Sequence, residues 1–148
     1  MADVAWSFTK LVLGHLPSMK NNRKIVEWEQ GGGRRKAVIK SDEARAYVTG
    51  FLYQVRRPKE PYTGPVRLEA DIYYRNTACD LDESLLMDCL QVGTAKNPGA
   101  GIIKNDNQIK EKHVRWHFDN VRPRVVIRFT PFEPGLGVII EAKNGNLV

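Results

Sequence analysis

The sequence is short of the features that would tie it to a membrane, an oxidising compartment or a nucleotide cofactor. Only two cysteines occur in 148 residues, Cys79 and Cys89. They match neither a zinc spacing nor a disulfide framework, so both read as reduced thiols of a cytoplasmic protein. No apolar run approaches the ~20 residues that a membrane-spanning helix needs. The opening Met1-Ala2-Asp3-Val4-Ala5-Trp6 lacks the basic and then apolar order of a signal peptide. Gly31-Gly32-Gly33 is not followed by the Lys-Ser/Thr of a phosphate loop, and Ser18 and Ser84 have no nucleophile-elbow context. His113 and His117 are four apart but have no third soft ligand nearby, so zinc is not expected. There is no internal repeat and no low-complexity stretch. No membrane partner and no organic cofactor are expected.

What is present describes one domain, residues 1–148, with 131–148 as a tail or peripheral element. Trp6 to Leu13 is aromatic and β-branched and predicts a strand. A polar loop, Leu16 to Arg23, follows. Ile25–Trp28 and Lys36–Ile39 flank the three glycines and predict a β-hairpin. Ser41-Asp42-Glu43 is a helix start, and Tyr47, Val48, Phe51, Leu52 and Val55 recur at helical spacing until Arg56-Arg57-Pro58. Val66, Leu68, Ala70 and Ile72 alternate as one face of a strand. Leu85, Leu86, Cys89 and Leu90 stripe a short helix that Asp82 can cap. Ile102-Ile103 and Ile109 to Phe118 predict strands around a turn at Asn105-Asp106-Asn107, and Arg124 to Phe129 predicts the last. Two helices set among more numerous strands make the fold α+β.

Two sets of residues could carry chemistry. In an extended Cys79-Asp80-Leu81-Asp82-Glu83, Asp80 and Asp82 project to one side and Leu81 faces the core. Two carboxylates held together repel and favour a cation; magnesium is the hard ion that carboxylates, water and phosphate oxygens suit. The plainer alternative makes Asp82 a helix cap and Asp80 its solvated neighbour. Asp106, otherwise an ordinary turn residue, could add a third carboxylate from a neighbouring strand. The second set is basic. Net charge is +6, which suits a polyanionic partner through counterion release, although solubility alone also accounts for such a charge. Lys20, Arg23 and Lys24 precede the hairpin, and Arg34, Arg35 and Lys36 follow its glycines, with Lys40 and Arg45 soon after. With Trp28 among them, they read as a phosphate-contacting rim.

Three segments, in order, resemble the RusA family of Holliday-junction resolvases of phages and prophages. Leu16-Pro17-Ser18-Met19-Lys20-Asn21-Asn22 matches its Pro-Ser-x-Lys-Asn-type loop. Asp80-Leu81-Asp82-Glu83, leading to Leu86-Met87-Asp88-Cys89-Leu90, matches its Asp-x-Asp-Asn motif and the helix that follows. Asn105-Asp106-Asn107-Gln108-Ile109 matches its Asp-Asp-x-Gln-Ile turn. The resemblance spans about Phe8 to Phe129.

The resemblance implies a small α+β domain with a mixed sheet and two main helices. It also implies a homodimeric, magnesium-dependent endonuclease, with Mn²⁺ a possible substitute, that nicks four-way DNA junctions symmetrically. The family's essential aspartates fall on Asp80, Asp82 and Asp106. Two departures stand out. Glu83 occupies the family asparagine and could add or replace a metal ligand. The family lysine one helical turn past the second aspartate falls on Leu86; Lys104, Lys110 or Lys112 could supply its charge from the adjacent strand. The loop from Thr94 to Gly101 is longer than the family's. Rival readings are a catalytically weakened branched-DNA-binding protein, a magnesium-dependent nuclease of flaps or duplex, and a structural protein without a nucleic-acid role.

Overall fold

A computed structural model describes residues 6–19 and 23–134. Two helices pack on one face of a mixed four-stranded sheet, and a separate two-stranded ribbon leaves the body between the first strand and the first helix. The sheet runs in the order β1 (Phe8–Leu13), β6 (Arg124–Pro131), β4 (Val66–Tyr74), β5 (Ile109–Phe118). β6 is antiparallel to both its neighbours, whereas β4 and β5 are parallel, in register from Val66↔Ile109 to Tyr74↔Phe118 with one irregularity after Val66. Parallel neighbours need a crossover, and α2 (Ser84–Leu90) lies within it.

The alternation in β4 is followed without exception: Val66, Leu68, Ala70, Ile72 and Tyr74 are buried and the residues between them are half-buried. The buried set meets Val125, Ile127 and Phe129 of β6, Val12 of β1, and both helices in one core. The helix α1 (Asp42–Gln54) starts where expected, because the Ser41 side chain accepts from the Ala44 N–H. It buries Ala44, Tyr47, Val48 and Phe51. α2 buries the four residues of its stripe, Leu85, Leu86, Cys89 and Leu90.

The sheet's other face carries ion pairs across β4 and β5. There Asp71 accepts from Arg115 at 2.7 Å and lies 2.8 Å from His117 Nε2. The Arg115 hydrogen bond outweighs the effect of partial burial and, with His117, holds the Asp71 carboxyl down at about 2. Arg124 lies 3.8 Å over the Tyr73 ring and binds Asp119.

Three expectations about elements change. Trp6 precedes β1 rather than opening it, and stacks on Tyr62 with centroids 4.0 Å apart. Ile102-Ile103 is not a strand. Its backbone N–H groups, with those of Ala100 and Gly101, donate to the carbonyls of Cys89, Leu90 and Gln91. The segment therefore closes the C-terminus of α2, whose last carbonyls have no partner within the helix. Only a single bridge links Ile103 to Tyr62. The last strand continues to Pro131, so 131 belongs to the sheet, and most of the expected tail lies outside the described residues. No helix among the described residues is long and apolar enough to cross a membrane.

The core assignment is checked at Leu68, which is fully buried in the central strand. Leu68→Ala should lower unfolding free energy by about 3 kcal/mol in urea denaturation with an unchanged slope. A loss below about 1 kcal/mol would show that the helices do not pack on this face.

Candidate metal and nucleic-acid site

The corner where β4 ends and α2 begins is organised around one carboxylate. Asp82 is buried. Its Oδ2 accepts from the Ser18 hydroxyl at 3.1 Å and the Met19 N–H at 3.0 Å. Its Oδ1 accepts from the Ser84 N–H at 3.0 Å and the Ser84 hydroxyl at 2.6 Å. Its own N–H donates to the Tyr74 hydroxyl. A carboxylate offers about four acceptor positions, and here four donors use them. Burial alone would raise the carboxyl's pKa; the bonds from Ser84, Ser18 and Met19 outweigh it and hold the group below its ordinary range.

The geometry corrects the simple extended reading of this segment. Leu81 does not face the core but is exposed, while Asp82 turns inward and Asp80 is exposed. The chain bends after Tyr74, and the Tyr74 hydroxyl pulls the Asp82 backbone inward, so strand alternation does not persist to Asp80. The capping role holds in altered form. Glu83 is the first flanking residue of α2, and Asp82 reaches over it to the Ser84 N–H.

Glu83 turns towards β5, where the Lys112 ammonium lies 2.6 Å from its Oε1. Lys112 is thus the one of the three lysines considered that reaches this corner through a described contact. Leu86 is fully buried, so position 86 contributes to the core and not to the site. Cys79, beside Asp80, lies 4.0 Å from His15 Nε2 and donates to Asn76. Cys89 is buried in the core, which pushes its thiol up to about 12.

Asp106 lies against the C-terminal half of α2. Its N–H donates to Gln91 Oε1 at 3.2 Å, and Gln91 in turn donates to the Met87 carbonyl. The turn that carries it is braced by Gln108. That side chain accepts from the Lys104 and Asn105 N–H groups and donates to the Tyr62 and Gly64 carbonyls. Asp106 itself is exposed, as is Lys104.

Among the described residues, no three His, Cys, Asp or Glu side chains are gathered closely enough to hold one ion. Asp80, Asp82 and Asp106 therefore do not form a shared cage in this arrangement. The hard carboxylate oxygens of Asp80 and Glu83 nevertheless suit magnesium, which is ordinarily held by one or two carboxylates while waters and phosphate oxygens complete its shell.

The basic residues divide. Arg34 and Lys36 are exposed on β3 (Gly33–Lys40) and pair across the ribbon with Glu27, at 3.9 and 3.3 Å. Arg35 is exposed opposite Trp28. Arg23 and Lys24 open β2 (Arg23–Gln30); Lys20 lies outside the described residues. At the root of the ribbon a cleft of about 740 Å³ is lined by Met19, Lys40, Arg45, Asp88, Gln91 and Lys96, among others. Lys40 reaches Asp88 at 3.7 Å and Asn97 at 3.1 Å there. Lys96 had no signal in the sequence, since it is an isolated lysine in a long loop.

Comparison with protein-family models and with curated proteins finds no match to the chain.

Asp82→Asn keeps the shape but replaces one acceptor oxygen with a donor facing donors. It should destabilise the fold by about 2 kcal/mol at pH 7. A depressed carboxyl stabilises the fold above the ordinary carboxylate range, and that contribution is lost as pH falls through its folded value. As pH falls below the ordinary carboxylate range the wild type should therefore lose more stability than Asp82→Asn, and parallel curves there would disprove the ionised tie. Gln108→Ala, which strands four backbone groups, should cost about 3 kcal/mol in the same unfolding assay; a loss within error would mean water replaces the side chain.

Proposed function

We propose that the chain is a magnesium-dependent, structure-selective DNA endonuclease that resolves four-way junctions by paired symmetric nicks in recombination and repair. Manganese is the natural substitute ion, and a homodimer is the natural assembly, because two symmetric nicks need two sites related by a two-fold axis. The observation that carries the reading is a convergence. The three segments that resemble the RusA family, far apart in sequence, are linked around α2: Ser18 and Met19 bind Asp82, and Asp106 binds Gln91.

In this reading Asp82 acts mainly as an organiser. It fastens the Leu16–Met19 loop to the start of α2 and so fixes Asp80 and Glu83 on either side of itself. Asp80 and Glu83 would hold the ion, with Asp106 facing the same substrate from the neighbouring turn. When bound, magnesium supplies an activated water and neutralises phosphate charge. Lys112, held beside Glu83, provides a cation for the negative charge that grows on the phosphate. It stands in for the lysine that Leu86 replaces. The exposed Arg34, Arg35 and Lys36 contact the DNA backbone.

One observation favours a second reading, a branched-DNA-binding protein with weakened catalysis: the four acceptor positions of Asp82 are already used.

Four-way junction, flap and linear duplex compared at one salt concentration with Mg²⁺ separate the readings. The wild type should nick the junction in preference to the others. Asp80→Asn should slow nicking by about 100-fold at unchanged junction affinity, and Lys112→Ala by about tenfold or more. Tight junction binding without any nick selects the second reading. Equal cutting of all three substrates would mean a nuclease of different specificity, and no binding to any would exclude a nucleic-acid role.

A further inference from the structure

The ribbon β2–β3 forms no part of the corner just described, yet it holds most of the molecule's excess charge. Between Arg23 and Lys40 lie six Lys or Arg and two Glu, so 18 residues carry four of the chain's six net positive charges. The ribbon is a sheet of its own, paired from Arg23↔Lys40 to Gln30↔Gly33. Eight residues in each strand give it a reach of about 27 Å. Its tip is a two-residue turn at Gly31 and Gly32, with φ of 60° and 81°. This is the conformation that matches strand twist and that glycine adopts without strain.

A two-stranded ribbon is marginal on its own, and this one stands in solvent. Every residue from Ile25 to Lys36 is exposed except Val26, which is half-buried. Trp28 is 43% exposed near the tip. Its cross-strand partner is Arg35, and its indole N–H donates to Gln30 on the same face. Alternation puts both glutamates, Glu27 and Glu29, on the opposite face, where Glu27 takes up Lys36 and Arg34. The Trp28 face is therefore aromatic and cationic, with neither glutamate of the ribbon on it. Such a face is complementary to nucleic acid: bases stack on an aromatic ring while cations contact phosphates.

We propose that this ribbon is the branch-point reader of the molecule. It enters the opened centre of a four-way junction, Trp28 stacks on a base exposed there, and Arg35 contacts a neighbouring phosphate. A two-stranded ribbon fits a DNA groove about 12 Å wide, and an inserted aromatic wedge gains from bases that are already unstacked. The inference rests on the junction-resolvase reading but concerns selectivity rather than cleavage.

The test measures affinity for a four-way junction and for a linear duplex of the same sequence at one salt concentration, with Trp28→Ala, Trp28→Phe and Arg35→Gln. Trp28→Ala should lower junction affinity about tenfold and leave duplex affinity within about twofold, while Trp28→Phe keeps most of the preference. Arg35→Gln should lower both affinities and reduce the salt slope by about one. In the wild type, ultraviolet crosslinking to 5-bromouracil at the junction centre should join Trp28 to DNA. An unchanged junction preference in Trp28→Ala, or a crosslink elsewhere in the chain, overturns the inference while leaving the endonuclease reading intact. Loss of dimer in Trp28→Ala would place the ribbon at a subunit interface and also overturn it. A wild type without any preference for junctions removes both readings.

Discussion

The fold and the candidate site share one constraint, the buried carboxylate of Asp82. A charge removed from water is unfavourable unless its oxygens are bonded, and here the donors that satisfy it come from two separate parts of the corner. Ser18 and Met19 belong to the loop after β1, Ser84 begins α2, and Tyr74, which receives the Asp82 N–H, ends β4. Losing the charge would release the loop from the helix, while the bond from the Asp82 N–H to Tyr74 keeps the segment on the strand. The exposed Asp80 and the Glu83–Lys112 pair have defined positions because the residue between them is fixed.

That arrangement also accounts for the absence of a gathered three-carboxylate cluster among the described residues. An aspartate that supports three elements has its lone pairs engaged, so the groups left for an ion are its neighbours in sequence. Asp106 is positioned separately, through Gln91 and the Gln108 brace, on the other half of α2.

Much of the fold was legible because its signals are local. The alternation of Val66 to Ile72, the Ser41 cap, the apolar stripe of α2 and the paired glycines of the ribbon each follow from neighbouring residues. What the sequence left out is long-range. Nothing local says that β5 lies parallel to β4 or that Lys112 meets Glu83, 29 positions away. Ile102-Ile103 looked like a strand because burial in a loop that closes a helix leaves the same apolar pair. Leu81 and Asp82 exchanged their expected faces because the tie to Ser18, 64 residues distant, overrides alternation. The candidate carboxylates were legible as a motif, whereas the separation of Asp82's supporting role from the exposed positions of Asp80 and Asp106 required the geometry.

The role proposed for the β4–α2 corner is the hydrolysis of phosphodiesters in branched DNA with a divalent ion. The most direct measurement is single-turnover incubation of the wild-type protein with an end-labelled four-way junction, in Mg²⁺ and in chelator, with every strand mapped. Two nicks placed symmetrically across the branch are expected in Mg²⁺ and none in chelator. A junction that stays intact in Mg²⁺ at protein concentrations that saturate it would contradict that role.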